Sequence, residues 1–424
     1  MYYTQNQKIE QVSQDAMVVG VDIGSKWQYA RAFDHRGLEI AHVFKFSNDR
    51  SGFELFLDWM RNLASEKGFK KIIVGMEPTG HYWFPLRDFL AKEGIELVLV
   101  NPLHVKQSKE LDDNNQTKND RKDPLVIARL VCEGRYSFPY IPEGIYADLR
   151  IYWANRERYG KQQIAVKNRI LRWFSIYFPE YTTVFGDVFC KSSRMLLLQA
   201  CLPAEMVTLG AEGINQIWRD QKLRAVGMKR ATTLFAAAQR SIGQQTGVAA
   251  AREELEELLE EWDFFARKIE HVTEKMTDIL DQISEAKQLQ SIPGVGLLTV
   301  AGFLAEVGDV RRFTSPKQLL KLAGLALRES SSGKHKGRTT ISKRGRSRLR
   351  KTIFNAAISV IHRNGAFKKL HTYYTTRQEN PLKKKQSVVA VGCKLVRIFY
   401  ALFMSDKPYD GEKMLSDIHR PEAA

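Results

Sequence analysis

Four carboxylates and one serine segment carry the chemistry this sequence could do. Asp22 closes the run MVVGVDIG, Glu77 closes KKIIVGME, and Asp120 and Asp123 stand three apart in NDRKDP. Singly, an acid at a strand end or a helix start is commonly a cap. As a set, four oxygen donors without His or Cys suit Mg2+ or Mn2+ rather than Zn2+. Two such ions about 4 Å apart activate one oxygen and stabilise another when a phosphodiester is cut. Far along the chain, Ser330, Ser331 and Ser332 precede Gly333, and nine Lys or Arg lie between Lys334 and Lys351 inclusive. A hydroxyl is a weak nucleophile until a base, a metal or a dense positive field lowers the cost of its alkoxide, and Gly333 permits close approach. A basic loop that only grips phosphate oxygens accounts for the same residues.

These groups need elements to hold them. The first 145 residues alternate strand and helix patterns. MVVGVDIG is a β-branched run, and WQYARAFD, the turn HRG and LEIAHVFKF extend it as an antiparallel hairpin. GFELFLDWMRNLASEKG has helical spacing and stops at a glycine, KKIIVGMEPTG reads as a buried strand, a helix follows around WFPLRDFLAKEG, and IELVLVNP is a third strand. If the strands bearing Asp22 and Glu77 are parallel neighbours, their carboxylates meet at the C-terminal sheet edge, where open α/β folds place their chemistry. DPLVIARLVCEG reads as a helix that sets Asp120 and Asp123 on one face.

Strand signals fade after about Glu143. A long basic helix runs from DLRIYWANRERY to FPE, and helical patterns continue to about Gly247. Leu255, Leu258, Trp262, Phe265, Ile269, Val272, Met276, Ile279 and Ile283 then alternate spacings of three and four, a heptad seam on a helix of roughly 50 Å. The seam fits either a hairpin packed on the earlier helix or a contact between subunits. SIPGVGLLTVAGFLAEVG resembles a helix-hairpin-helix, whose backbone N–H groups meet a phosphate, although a plain connection using a glycine cap fits as well.

Charge sorts the partners. The 424 residues carry 65 Lys and Arg against 48 Asp and Glu, a net +17. Residues 287–405 alone hold 24 against 4, a net +20, so the other residues hold 41 against 44, a net −3. A neutral front with a basic back suits metal at one end and nucleic acid at the other, and also a ribosomal or membrane-surface protein. Apolar residues at 44 % and charged at 27 % are globular averages that argue against disorder and a membrane bundle. Cys132, Cys190, Cys201 and Cys393 form no paired spacing, so a disulfide framework and a zinc site are not expected. The start of the chain has no apolar export segment, and SVVAVGCKLVRIFYALFM is broken by Lys394 and Arg397, so no membrane span is expected.

The acidic set resembles the DEDD pattern of RuvC-like nucleases, the ribonuclease H fold. The order VGVDIGS, VGMEPTG, NDRKD, KNRI with FPE, SIPGVG, LAGLALRESSSGK and ISKRGRSRLRK resembles the DEDD transposases of bacterial insertion sequences in the family numbered one hundred and ten, relatives of the pilin-gene inverting recombinase. The likeness covers about residues 17–405. It implies a RuvC-like α/β domain at 17–145, a helical coiled-coil middle at 146–286, a mostly helical basic transposase domain at 287–405 and a tail at 406–424. It implies metal-binding acids at Asp22, Glu77, Asp120 and Asp123, with Mg2+ or Mn2+, and a nucleophile at the serine directly before glycine, Ser332. The loop lacks the second glycine of many relatives, and LALRE replaces their proline-containing turn, so Ser331 is a rival. Lys334, Lys336, Arg338, Lys343, Arg344, Arg346, Arg348 and Arg350 are the expected nucleic-acid contacts. The resemblance further implies donor and target DNA, a bridge RNA from the element, a dimer or tetramer, and a bacterial cytoplasm. Two other readings use the same residues: a metal-dependent junction nuclease attacking with water, and a basic nucleic-acid-binding protein without activity.

Overall fold

The computed structural model describes residues 4–78, 80–112, 122–224, 226–328, 331–332, 335–336, 339–405 and 407–416, with backbone only at 110–112, 331–332 and 335–336. It divides into two compact units, 1–141 and 142–424.

The first unit runs α1 (Gln5–Gln11), β1 (Ala16–Ile23), β2 (Trp27–Phe33), β3 (Phe44–Ser47), α2 (Arg50–Lys67), β4 (Lys71–Met76), α3 (Trp83–Lys92), β5 (Glu96–Val100), α4 (Pro102–Asp112), α5 (Asp123–Cys132) and β6 (Tyr136–Ser137). The strands form one mixed sheet in the order β3-β2-β1-β4-β5-β6. β1, β4 and β5 are parallel to one another, and β2 and β6 are antiparallel to their neighbours β1 and β5. The apolar run of β1 puts it at the centre, because both its faces are covered. Met17, Val19 and Val21 pack with Phe53, Phe56 and Met60 of α2 and Leu86 and Leu90 of α3, whereas Ala16 and Val18 pack with Val126, Ile127 and Val131 of α5. α2 stops where expected, at Gly68, whose φ of +77° is a left-handed cap. The expected hairpin partner is shorter than LEIAHVFKF suggests: Glu39 makes one isolated bridge to Phe33, and regular pairing resumes only at Phe44.

The second unit contains α6 (Ile145–Tyr177), α7 (Tyr181–Val184), α8 (Lys191–Leu197), α9 (Pro203–Asp220, kinked at Gly210), α10 (Met228–Gln239), α11 (Val248–Leu280), α12 (Ser284–Gln290), α13 (Leu297–Val307), α14 (Pro316–Leu322), four two-residue strands at 327–341, α15 (Ser347–Arg363), α16 (Gly365–Thr376), α17 (Lys384–Phe403) and α18 (Gly411–Leu415). α6 and α11 pair antiparallel: Arg156 Nε donates to Thr273 Oγ1 at 3.3 Å, Arg169 pairs with Glu261 at 2.6 Å, and Trp173 Nε1 donates to the Ala251 carbonyl at 2.7 Å. The heptad seam thus packs on the earlier helix of the same chain. Its two ends serve different cores. Leu255, Leu258 and Leu259 join Trp173, Phe174 and Trp218, whereas Met276, Ile279 and Ile283 join Phe303, Phe313 and Phe399. The boundary expected at 286/287 therefore falls inside one continuous core, which reaches back to Leu149 and Trp153. The expected tail also contributes, through buried Met414 and Leu415 of α18.

α17 is long and apolar enough to cross a membrane, but here Val391, Leu395, Val396 and Phe399 are buried in that core. All four cysteines are free thiols.

Candidate active site and nucleic-acid interface

β1 and β4 end alike, in Gly-Val-Asp and Gly-Met-Glu, and their parallel register aligns Gly20 with Gly75 and Val21 with Met76. The pairing of β1 with β4 ends there, and the next residue of each is an acid, Asp22 near the end of β1 and Glu77 just past β4. Both acids fall on the parity of their glycines, which is the face covered by α5. The glycines explain how the helix comes so close. A Cβ on Gly20 would lie 1.9 Å from the Pro124 carbonyl oxygen and 3.0 Å from the Ala128 nitrogen, and one on Gly75 would lie 2.5 Å from Val131 Cγ2. A glycine inside a strand marks such close approach. Pro124, pressed on Gly20, directly follows Asp123, the first residue of α5.

Asp123 Oδ2 is held by Lys109 Nζ of α4 at 2.5 Å, a partner that sequence reasoning missed because the packing of α4 on α5 leaves no local signature in the sequence. Asp120 lies outside the described residues. Among the described residues no three His, Cys, Asp or Glu form a group able to hold a metal ion. Two carboxylates on adjacent strands and a third on the helix crossing the same face are nonetheless all hard oxygen donors, the set that Mg2+ or Mn2+ takes.

The described residues of the serine segment pair in two short antiparallel ladders. Leu327 and Arg328 pair with Ile341 and Thr340, and beyond them Ser331 pairs with Lys336 and Ser332 with His335. Ser330, Gly333, Lys334 and Arg338 lie outside the described residues. The base of the hairpin is zipped to the chain ahead of it: Lys343 N donates to the Gly324 carbonyl at 3.0 Å, Ser342 N to Ala326 at 2.8 Å and Arg346 N to Leu322 at 2.7 Å.

The arginines of ISKRGRSRLRK divide into two pairs. Arg350 Nη1 donates to the Ala323 carbonyl at 2.9 Å and to the Lys343 carbonyl at 3.3 Å, and Arg346 bonds the Glu306 carbonyl and faces its carboxylate at 3.7 Å. Both side chains serve the fold. Lys343, Arg344 and Arg348 are exposed and available to phosphates. The SIPGVG turn joins α12 to α13 with Gly294 at φ +94°, packed on α15, where a Cβ would meet Val360 Cα at 2.9 Å. Gly296 caps α13 without a side chain, which leaves its first-turn N–H groups without a side-chain acceptor from the cap.

Comparison with known proteins assigns both units. A DEDD transposase family model, described as a transposase, matches residues 19–179, and the model described as Transposase IS116/IS110/IS902 family matches residues 286–373. The pilin gene-inverting protein of Moraxella lacunata is 31 % identical over 371 residues, covering 86 % of this chain and 89 % of that protein. The chain belongs to this transposase family. Its counterpart from Moraxella bovis is 24 % identical over the same coverage, and the transposase for insertion sequence element IS1111A of Coxiella burnetii is 30 % identical over 290 residues, 68 % of this chain and 65 % of that one. The transposase is accordingly an enzyme that cuts and recombines DNA, and the matched spans take in the acidic set, the serine hairpin and the basic segment after it.

Proposed function

We propose that the N-terminal unit is a RuvC-like domain in which Asp22, Glu77, Asp120 and Asp123 hold Mg2+ or Mn2+ against a scissile phosphate, and that Ser332 is the nucleophile. What supports the acidic half is the register of β1 and β4, whose parallel pairing ends at Val21–Met76, one residue before Asp22 and Glu77, on the sheet face that α5 packs against. The mixed sheet with its hairpin extension supports the same reading. When bound, the divalent ion supplies charge for the oxygens of the phosphate in flight. The chain's own residues do the rest. Ser332 Oγ loses its proton to solvent and forms a bond to phosphorus, the bond from phosphorus to the leaving deoxyribose oxygen breaks, and that oxygen takes up a proton. Strand exchange follows when the freed hydroxyl of another strand reverses the step and releases the serine.

Lys343, Arg344 and Arg348, with Lys334, Lys336 and Arg338, hold backbone phosphates around the hairpin. The net +20 of residues 287–405 exceeds what one DNA track needs, which supports a second polyanion, a structured bridge RNA from the element, in a dimeric or tetrameric assembly in the cytoplasm. The test is substitution of the carboxylates. Asp22→Asn, Glu77→Gln and Asp123→Asn each abolish Mg2+-dependent strand cleavage while DNA retention and the melting transition stay near wild type. Cleavage at wild-type rate by Asp22→Asn and Asp123→Asn would remove the acidic site from the mechanism, and purified protein carrying only random cellular RNA would remove the dedicated guide.

A further inference from the structure

The same sheet face that carries Asp22 continues outward as an aromatic strip. Asp22 pairs in register with Tyr29 of β2, and Tyr29 in turn with Lys45 of β3, so the three residues lie side by side across the sheet. Trp27, two residues from Tyr29, shares that face and is 49 % exposed. Lys45 Nζ sits 4.3 Å from the centroid of the Trp27 ring and 5.8 Å from that of Tyr29. The opposite face of the same edge is ordinary core: Phe44 and Phe46 stack with Phe56 and Trp59 under α2. The largest side chain of β2 lies on the face where Phe33 is buried with α5 but Tyr29 is only half-buried and Trp27 is exposed.

We propose that Trp27, Tyr29 and Lys45 form a stacking platform for the unpaired DNA strand that enters the acidic site, with a base on the aromatic rings and a phosphate at the Lys45 ammonium. The proposal rests on the reading of Asp22 as part of that site. An aromatic face with an adjacent cation binds single strands whatever their sequence, since every base has a π face. The spacing fits as well: Trp27 lies about 7 Å along β2 from the residue opposite Asp22, the reach of a single nucleotide of extended strand. The platform would hold the nucleotide beside the one being cut, which makes Trp27 a positioning residue for the reaction.

The test uses the full-length protein, irradiated with a short single-stranded DNA carrying 5-iodouracil, with the matching RNA in parallel, followed by mapping of the crosslinked peptides. Trp27 is expected among the DNA-crosslinked residues, and Trp27→Ala is expected to raise the KM for strand cleavage roughly 5- to 150-fold, the range found when one stacked base loses its ring. Trp27→Phe should recover most of that loss, which a merely structural tryptophan would not predict. Crosslinks confined to the basic region together with an unchanged KM in Trp27→Ala would overturn the platform, and so would crosslinking of Trp27 to RNA alone. If DNA crosslinks at Trp27 but the wild-type protein cuts no strand, the platform stands and the reading of the acidic site fails.

Discussion

The packing of α5 on β1 gives the sharpest structural prediction, because it concerns backbone that has nowhere to go. Gly20→Ala adds one methyl group at a point 1.9 Å from the Pro124 carbonyl oxygen, 2.9 Å from its carbonyl carbon and 3.0 Å from the Ala128 nitrogen. Ordinary contact begins near 3.4 Å, so α5 must retreat by roughly 1.5 Å at its first turn, where Asp123 sits. Overpacking of this kind costs about 1–3 kcal/mol. For a unit of this size that corresponds to a melting transition lower by roughly 3–12 °C. Under the proposed role of Asp123 as a metal ligand the effect on cleavage is larger in proportion, since a displacement of about 1 Å at a catalytic group costs roughly 100-fold in rate. Gly75→Ala is the internal comparison. Its methyl group meets a side chain, Val131 Cγ2, at 2.5 Å rather than backbone at 1.9 Å; Val131 is buried and, being β-branched in a helix, keeps one rotamer, so α5 must again shift, by a smaller amount. Thermal melts and single-turnover cleavage on both variants check this. A Gly20→Ala protein that melts and cleaves like wild type would refute the seating of α5 on β1.

Three further outcomes follow from the second unit and from the thiols. Arg350→Ala removes two bonds to backbone carbonyls and should destabilise by about 1.5–3 kcal/mol, whereas Arg344→Ala and Arg348→Ala should leave the melt unchanged and each lower the salt slope of DNA binding by about one. Burial pushes the Cys201 thiol up to about 12, and burial with the nearby Asp34 carboxylate pushes Cys132 up to about 11. Below those values both are protonated, so mass spectrometry after alkylation at pH 8 should find them unmodified in the native protein and modified once it is unfolded; fast native labelling would contradict their packing. Asp22→Asn and Ser332→Ala proteins, each expected to be inactive alone, should recover adduct formation when mixed if one subunit's serine serves another's acids, and mixed oligomers without adduct would place both halves in one chain.

The sequence made the acidic residues legible because each strand ending is a β-branched run with an acid at its close. It did not make their adjacency legible, since whether two strands pair in parallel depends on contacts far apart in the chain. The glycines two places ahead of Asp22 and Glu77 were the available signal, as both strands spend a core position on close helix approach. The arginines show the opposite limit. Their alternation at 344, 346, 348 and 350 reads as one basic track, but Arg346 and Arg350 bond carbonyls of the chain ahead of the hairpin, which only the tertiary fold reveals. Strands of two residues, as at Ser331–Ser332, are too short for any periodicity to show, and the heptad seam could not name its partner until α6 was found lying against it. Trp27 was passed over because alternation in WQYARAF marks a strand without saying which face stays open.

The proposed joining of Ser332 to DNA, in a step that needs the carboxylates, is tested most directly by digesting a trapped reaction to a nucleotide–peptide and sequencing it by mass spectrometry. A phosphate ester is expected on Ser332 in the wild-type protein and none in Asp22→Asn, with binding retained in both. An ester on Ser331 would contradict the assignment of the nucleophile, and cut ends free of any peptide would show that water makes the attack.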